Sequence, residues 1–303
     1  MRMMTTLLAI VAGLCICSGL VAVPSGDEAV DVPFVFEHNE ILVQVRIGKR
    51  EPVTMMLDTD TDPSSINLSF AQSNALKLCE IHGEITGGGS ERPKVYLTRL
   101  EGVQLGSLQV RNLQAVAIDL TKIQNRLGIQ VQGVLGHDFP AGRVLQIDYP
   151  AKVLRFYRSS SALPRATNAQ AVFPFRVGED GDILVDGVMI NGKNAKATLD
   201  TGSDGTFALT PAAVETLGLA EAASHGQPDT SDGYKGTVKS TRGKIDLIGI
   251  GSMEVASPEV VFWTKGAGRD QRPWDLNIGN AFLKNYILTL DYPRKRITLQ
   301  SPN

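Results

Sequence analysis

Cysteine is nearly missing from the 303-residue chain: there are three, and two of them, Cys15 and Cys17, lie inside the apolar run at the N-terminus. With that run set aside only Cys79 remains, which excludes an intramolecular disulfide and a cysteine metal site. Close to Leu76 and Leu78, Cys79 reads as a small buried apolar side chain. Histidine is as scarce: His38, His82, His137 and His225 are scattered without metal-ligand spacing. An excess of charge of one sign is lacking too, since 30 Lys and Arg against 32 Asp and Glu leave a net charge of -2. That balance gives no electrostatic basis for a nucleic acid or an acidic membrane surface as partner. There is also only one long apolar run, Leu7 to Val23. It follows Arg2 and gives way to Pro24-Ser25-Gly26-Asp27-Glu28, the layout of a secretory signal over residues 1–23. The remainder is therefore expected in the periplasm or outside the cell. Left uncleaved, a run of that length reaches the lower limit for spanning a bilayer, and it or a lipidated Cys15 or Cys17 would anchor the protein to the membrane.

What the chain does contain is a repeat. The segment GVLGHDFPAGRVLQIDYPAKVLRFY closes its first half and LNIGNAFLKNYILTLDYPRKRITLQ its second. Aligning Gly136 with Gly279 places Asp148-Tyr149-Pro150 on Asp291-Tyr292-Pro293 at the same offset of 143. Upstream, Leu105-Gly106-Ser107-Leu108 matches Ile250-Gly251-Ser252-Met253, and Ile41-Leu42-Val43 matches Ile183-Leu184-Val185. The segment after the leader is thus two copies of a unit of about 130 residues, 30–158 and 171–300, joined by a Ser- and Pro-containing linker over 159–170.

Each copy reads as short strands punctuated by Gly, Asn, Asp and Pro. In the first they run Ile41 to Ile47, Val53 to Leu57, Val95 to Leu100, Leu113 to Ile118, Val144 to Ile147 and Val153 to Tyr157, with equivalents in the second. One helix per copy is expected, over Ser69 to Leu78 and over Pro211 to Leu219. In the second of these Thr210 is a candidate cap and Pro211 suits the first turn.

The chemistry sits at the end of one such strand. Ala197-Thr198-Leu199 runs into Asp200-Thr201-Gly202-Ser203, followed by Phe207-Ala208-Leu209 and, about 80 residues on, by Ile278-Gly279. This pattern, together with the duplication, resembles the half-site of the aspartic peptidases, the retropepsin-like and pepsin-like families, over nearly all of the chain after the leader. The resemblance implies a mostly β protein of two pseudo-symmetric retropepsin-like lobes, with one active site built from both. It implies no cofactor and no metal, a polypeptide substrate in extended conformation, and a monomer with pseudo-twofold symmetry. Asp58 and Asp200 would be the catalytic pair. Two carboxyls held about 3 Å apart cannot both ionise, so they share a proton around one water. Thr59 and Thr201 would lock the two loops together, Ser203 would hold the outer oxygen of Asp200, and Gly202 would allow close approach of its backbone.

The first copy departs from the pattern. Its loop reads Asp58-Thr59-Asp60-Thr61-Asp62, so that Asp60 stands on Gly202 and Thr61 on Ser203. Beyond it Ile66 falls on Phe207 at an offset of 141, so the first loop is one residue longer. If Asp60 needed a left-handed backbone the strain would be about 1–2 kcal/mol. Its charge would make the pair harder to ionise, at about 1.4 kcal/mol per pKa unit. Two outcomes follow: a working endopeptidase, or an impaired protein that still binds extended peptides. Asp58, Asp60 and Asp62 also occupy positions one, three and five of a helix-loop-helix calcium loop. Pro63 and Ser69 then stand where that loop needs Gly and Glu, and the calcium reading fails. Glycine-rich turns lie 29 residues after Asp58, at Gly87-Gly88-Gly89, and 33 after Asp200, at Gly233-Tyr234-Lys235-Gly236. They are candidate flap tips over a cleft, and equally turns between strands.

Overall fold

The computed structural model describes residues 29–81, 89–166, 168–178, 181–266, 270 and 272–302. The leader and two of the candidate flap residues, Gly87 and Gly88, lie outside them. Among the described residues no helix is long and apolar enough to cross a membrane.

The two copies form two lobes of the same design. In the first, the strands stand side by side in the order Val35–Glu37, Glu40–Ile47, Val53–Leu57, Gly133–Leu135, Ser64–Asn67, Leu108–Ile118, Val95–Leu105 and Cys79–Ile81. Val95–Leu105 also pairs back on Glu40–Ile47, rolling the sheet towards a barrel. The second lobe repeats the series: Ile183–Ile190, Lys193–Asp200, Leu276–Gly279, Phe207–Leu209, Glu259–Trp263, Gly236–Lys244, Gln227–Gly233. Where the first lobe uses one strand, Val95–Leu105, the second breaks it into Gly236–Lys244 and Leu247–Ile250. In each lobe the strand carrying the aspartate runs parallel to its central neighbour, Val53–Leu57 beside Gly133–Leu135 and Lys193–Asp200 beside Leu276–Gly279. Both partners are buried throughout, as strands covered on both faces must be.

The tails of the copies leave their lobes and join. Val144–Asp148 pairs antiparallel with Ile287–Asp291, and the hairpins to which they belong form the centre of one six-stranded sheet, flanked by Val30–Pro33 and Ala169–Pro174. Gln146 lies opposite Thr289, its own counterpart at the offset of 143, and donates from Nε2 to Thr289 Oγ1 at 3.1 Å. The pseudo-twofold axis passes between these two residues. The apolar sides of this sheet and of both lobes merge into one core that includes Ile147, Leu154, Leu288 and Leu290, all fully buried.

Several local expectations change. The first helix is shorter, Leu68–Ser73, and the second is Pro211–Thr216, capped by Thr210 Oγ1, which accepts the Ala213 amide at 3.1 Å. A helix absent from the sequence reading, Thr121–Leu127, has only Ile123 and Leu127 buried, too short an apolar stripe to register as a period. Ala169 and Gln170, read as linker, already belong to a strand. Cys79 is exposed, because it lies on an edge strand whose outer side has no strand partner among the described residues. Asn67 is buried, with Oδ1 facing the Leu120 amide at 3.5 Å.

Because the central sheet belongs to both lobes, Leu290→Ala should cost about 2–5 kcal/mol. It should lower the stability of the whole chain in one transition, read by urea denaturation followed by fluorescence and circular dichroism; two separated transitions would contradict a shared core.

Candidate active site

Asp58 and Asp200 come off the ends of the two parallel-paired strands, at the junction of the lobes. Met55, Met56 and Leu57 on one side, Ala197 and Leu199 on the other, are buried and hold those strand ends in place. The next residues, Thr59 and Thr201, are fully buried and cross between lobes. The Thr59 amide donates to Thr201 Oγ1 at 2.9 Å, and that hydroxyl donates to the Leu57 carbonyl at 3.1 Å. Reciprocally, the Thr201 amide donates to Thr59 Oγ1 at 3.3 Å, which donates to the Leu199 carbonyl at 3.1 Å. The axis through Gln146 and Thr289 therefore continues through this threonine pair.

The carboxyls are 8% and 7% exposed, and each inner oxygen is held by the amide two residues on. Asp58 Oδ1 accepts from Asp60 N–H at 2.8 Å and Asp200 Oδ1 from Gly202 N–H at 2.8 Å. A Cβ built on Gly202 would lie 2.3 Å from Asp58 Cγ. The Gly202 backbone is thus stacked on one carboxyl while its amide binds the other, which brings Asp58 and Asp200 to the two sides of a single residue. The need for glycine here is space alone: neither Gly202 nor Asp60 has a positive φ, so the expected left-handed strain at Asp60 is absent.

The outer oxygens are held differently. Thr61 Oγ1 donates to Asp58 Oδ2 at 2.5 Å, but Asp200 Oδ2 receives Asn277 Nδ2 at 2.6 Å rather than the expected Ser203 hydroxyl. Asn277 is the parallel-strand partner of Thr198, two residues before Asp200, while the Ser203 hydroxyl is turned towards Gly279, where an added Cβ would come within 2.8 Å of it. Asn280 adds a further support, donating to the Thr201 carbonyl at 2.6 Å and accepting the Tyr149 hydroxyl at 2.6 Å. Sequence reasoning passed over Asn277, whose counterpart is Val134. A lone amide inside the apolar strand Leu276–Gly279 was the available signal.

Acidic side chains gather around this centre. Asp60 is half-buried, and Thr198 Oγ1 donates to its Oδ1 at 2.6 Å across the lobe boundary. Burial, then the charge of Asp200, pushes the Asp60 carboxyl well above the usual carboxylate range; Asp182 and Asp58 add to this, and the Thr198 bond opposes it. Glu40, fully buried, is likewise raised by burial and partly offset by Arg126. Arg126 bridges the lobes, reaching Glu40 Oε1 at 3.0 Å and Asp204 Oδ2 at 2.6 Å. Below the first loop, Asp138 Oδ1 accepts the Ser64 hydroxyl at 2.6 Å while Ser64 Oγ accepts the Gly136 amide at 2.9 Å; burial pushes Asp138 up to about 6. Among the described residues no group of His, Cys, Asp and Glu is arranged to hold a metal.

The hairpin Gln227–Gly233/Gly236–Lys244 leans from the second lobe over the first. At its tip Tyr234 packs against the first-lobe cluster that contains Leu42, Met56, Val95 and Ile118. Burial raises the Tyr234 phenol above its usual range, with the Asp58 charge behind it and the Ser65 and Thr61 hydroxyls opposing. Gly233 forms the hairpin end, and Gly89 of the other candidate flap bridges to Lys235; a Cβ at Gly89 would sit 2.0 Å from the Lys235 carbonyl oxygen. Of the first turn only Gly89 is described, and this bridge joins it to the second.

Replacing Thr201 by Val should cost about 3 kcal/mol, since it orphans the Thr59 amide and the Leu57 carbonyl; Thr201→Ser should cost much less, both read by urea denaturation. For Asp138 the sign follows from its raised pKa. The folded state holds the proton more tightly, so the stability it adds is full below about pH 4 and is lost as pH rises through about 6, a change of about 3 kcal/mol. The melting-temperature difference between the natural protein and Asp138→Asn should therefore shrink from pH 4 to 7; a constant difference would contradict it.

The comparisons with known proteins agree with this geometry. A family described as Aspartyl protease matches in two places, residues 43–139 and 187–282, one in each lobe. Among solved structures, basic 7S globulin from soybean superposes with a TM-score of 0.51 at 11% identity, over 92% of this chain and 96% of that one, a likeness of fold. No curated protein matches the sequence. With one family match in each lobe, spanning most of the chain, the protein belongs to the aspartyl protease family.

Proposed function

We propose that the protein is an exported aspartic endopeptidase that acts as a monomer on polypeptides in extended conformation. The observation that carries this reading is the reciprocal threonine lock, which sets Asp58 and Asp200 on the two sides of Gly202 with both inner oxygens already held by amides. Held so, the two carboxyls share one proton. The ionised member takes a proton from a water as its oxygen adds to the peptide carbon, and the protonated member gives its proton to the carbonyl oxygen. The resulting gem-diol collapses with proton transfer to the amide nitrogen, breaking the C–N bond and leaving a carboxylic acid and an amine. No covalent enzyme species is needed. The hairpin carrying Tyr234 would cover the substrate and exclude bulk water. Export rests on the leader over residues 1–23.

A second reading, a binder of extended peptides without hydrolysis, is favoured by one feature, the carboxyl of Asp60 beside the pair. Incubating the purified protein with denatured protein substrates from pH 3 to 7 separates the two. Cleavage should be inhibited by pepstatin and fall by about 10²–10⁴-fold or more in Asp200→Asn. Absence of cleavage at every pH, with activity gained in Asp60→Gly, would instead establish the binder.

A further inference from the structure

Asp60 breaks the repeat, yet the structure accommodates it on both sides of the lobe boundary. Its counterpart Gly202 has no room for any side chain, with an added Cβ 2.3 Å from Asp58 Cγ. Opposite Asp60 the repeat also departs from symmetry: Thr198 occupies the place that Met56 holds in the first lobe, is fully buried, and aims its hydroxyl at Asp60 Oδ1 at 2.6 Å. A shorter side chain bearing a donor both vacates volume and binds the carboxyl. The Asp60 amide, in turn, holds Asp58 Oδ1. One residue thus contacts the reacting carboxyl of its own lobe through its backbone and the floor of the other lobe through its side chain.

The charged groups whose fields act on this side chain are Asp200 at the end of Lys193–Asp200, Asp182 just before Ile183–Ile190, and Asp58 on its own loop. Asp182 is 1% exposed, and neither of its oxygens has a hydrogen-bond partner among the described residues; Arg272 stands 3.8 Å away. We propose that Asp60 is a third titrating carboxyl of the site, a positioning residue that stores a proton beside the Asp58–Asp200 pair. By doing so it extends the pair's singly protonated state to higher pH than glycine there would allow. The proposal rests on the peptidase reading. Ionisable groups that interact strongly give up their protons as a set. Once Asp60 is ionised, its negative charge makes the pair's shared proton harder to remove. The elevated proton affinity that burial and Asp200 give Asp60 is in keeping with this role.

The test is the pH dependence of kcat/KM on a quenched fluorescent peptide for the natural protein, Asp60→Asn and Asp60→Gly. Asn keeps the size of the side chain and an oxygen for Thr198 but cannot titrate. The alkaline midpoint should fall by about one pH unit or more in both variants, the effect of one nearby charge. If Asp60 only fills space and links the lobes, Asn leaves the midpoint where it was, and the proposal is overturned. Should the natural protein cleave nothing, the peptidase reading fails, and the storage of a proton is still read separately. The melting temperature of the natural protein relative to Asp60→Asn should decline as pH rises from 4 to 7, and a constant difference overturns the proposal.

Discussion

Two threonine hydroxyls, each accepting an amide from the opposite lobe and donating to a carbonyl there, are the constraint on which the rest of the molecule depends. Each is fully buried, so neither hydroxyl can exchange its partner for water without leaving a backbone group unpaired. The pattern can close only if the two loops approach to within one side chain of each other. That distance sets where the aspartates stand, and it makes glycine obligatory at 202, where backbone rests on the Asp58 carboxyl.

At the opposite end of the same axis the central sheet performs the complementary task. Val144–Asp148 and Ile287–Asp291 pair through counterparts of the repeat, and their apolar side chains join the cores of both lobes. The lobes are therefore fastened at the base by a hydrogen-bonded ladder and at the site by the threonines. Two bodies held at both ends of their common axis have their relative placement set by the chain's own hydrogen bonds and packing.

The symmetry is broken around the two carboxyls. Asp58 has Thr61 on its outer oxygen, Asp200 has Asn277. A third carboxyl, Asp60, lies on one side only, with Thr198 opposite. Arg126 ties Glu40 to Asp204, so part of the acidity around the pair is neutralised across the lobe boundary. Burial of Glu40, Asp60 and Asp138 raises their proton affinity, so the folded chain binds these protons more tightly than the unfolded one.

The duplication, the β character, both aspartates and both threonines were legible in the amino-acid sequence because they recur in the same order at nearly constant offsets, and recurrence is a one-dimensional property. So was the departure at Asp60. Its consequence was not: the expected backbone strain does not exist, and the hydroxyl that receives its carboxyl comes from a residue 138 positions away. Asn277 in place of Ser203, the exposed Cys79, the shared sheet and the reach of Tyr234 into the other lobe also came only with the tertiary structure. Each depends on which strands become neighbours or which edge is left open, and hydrogen bonds and steric room act through distances in space that spacing along the chain does not encode.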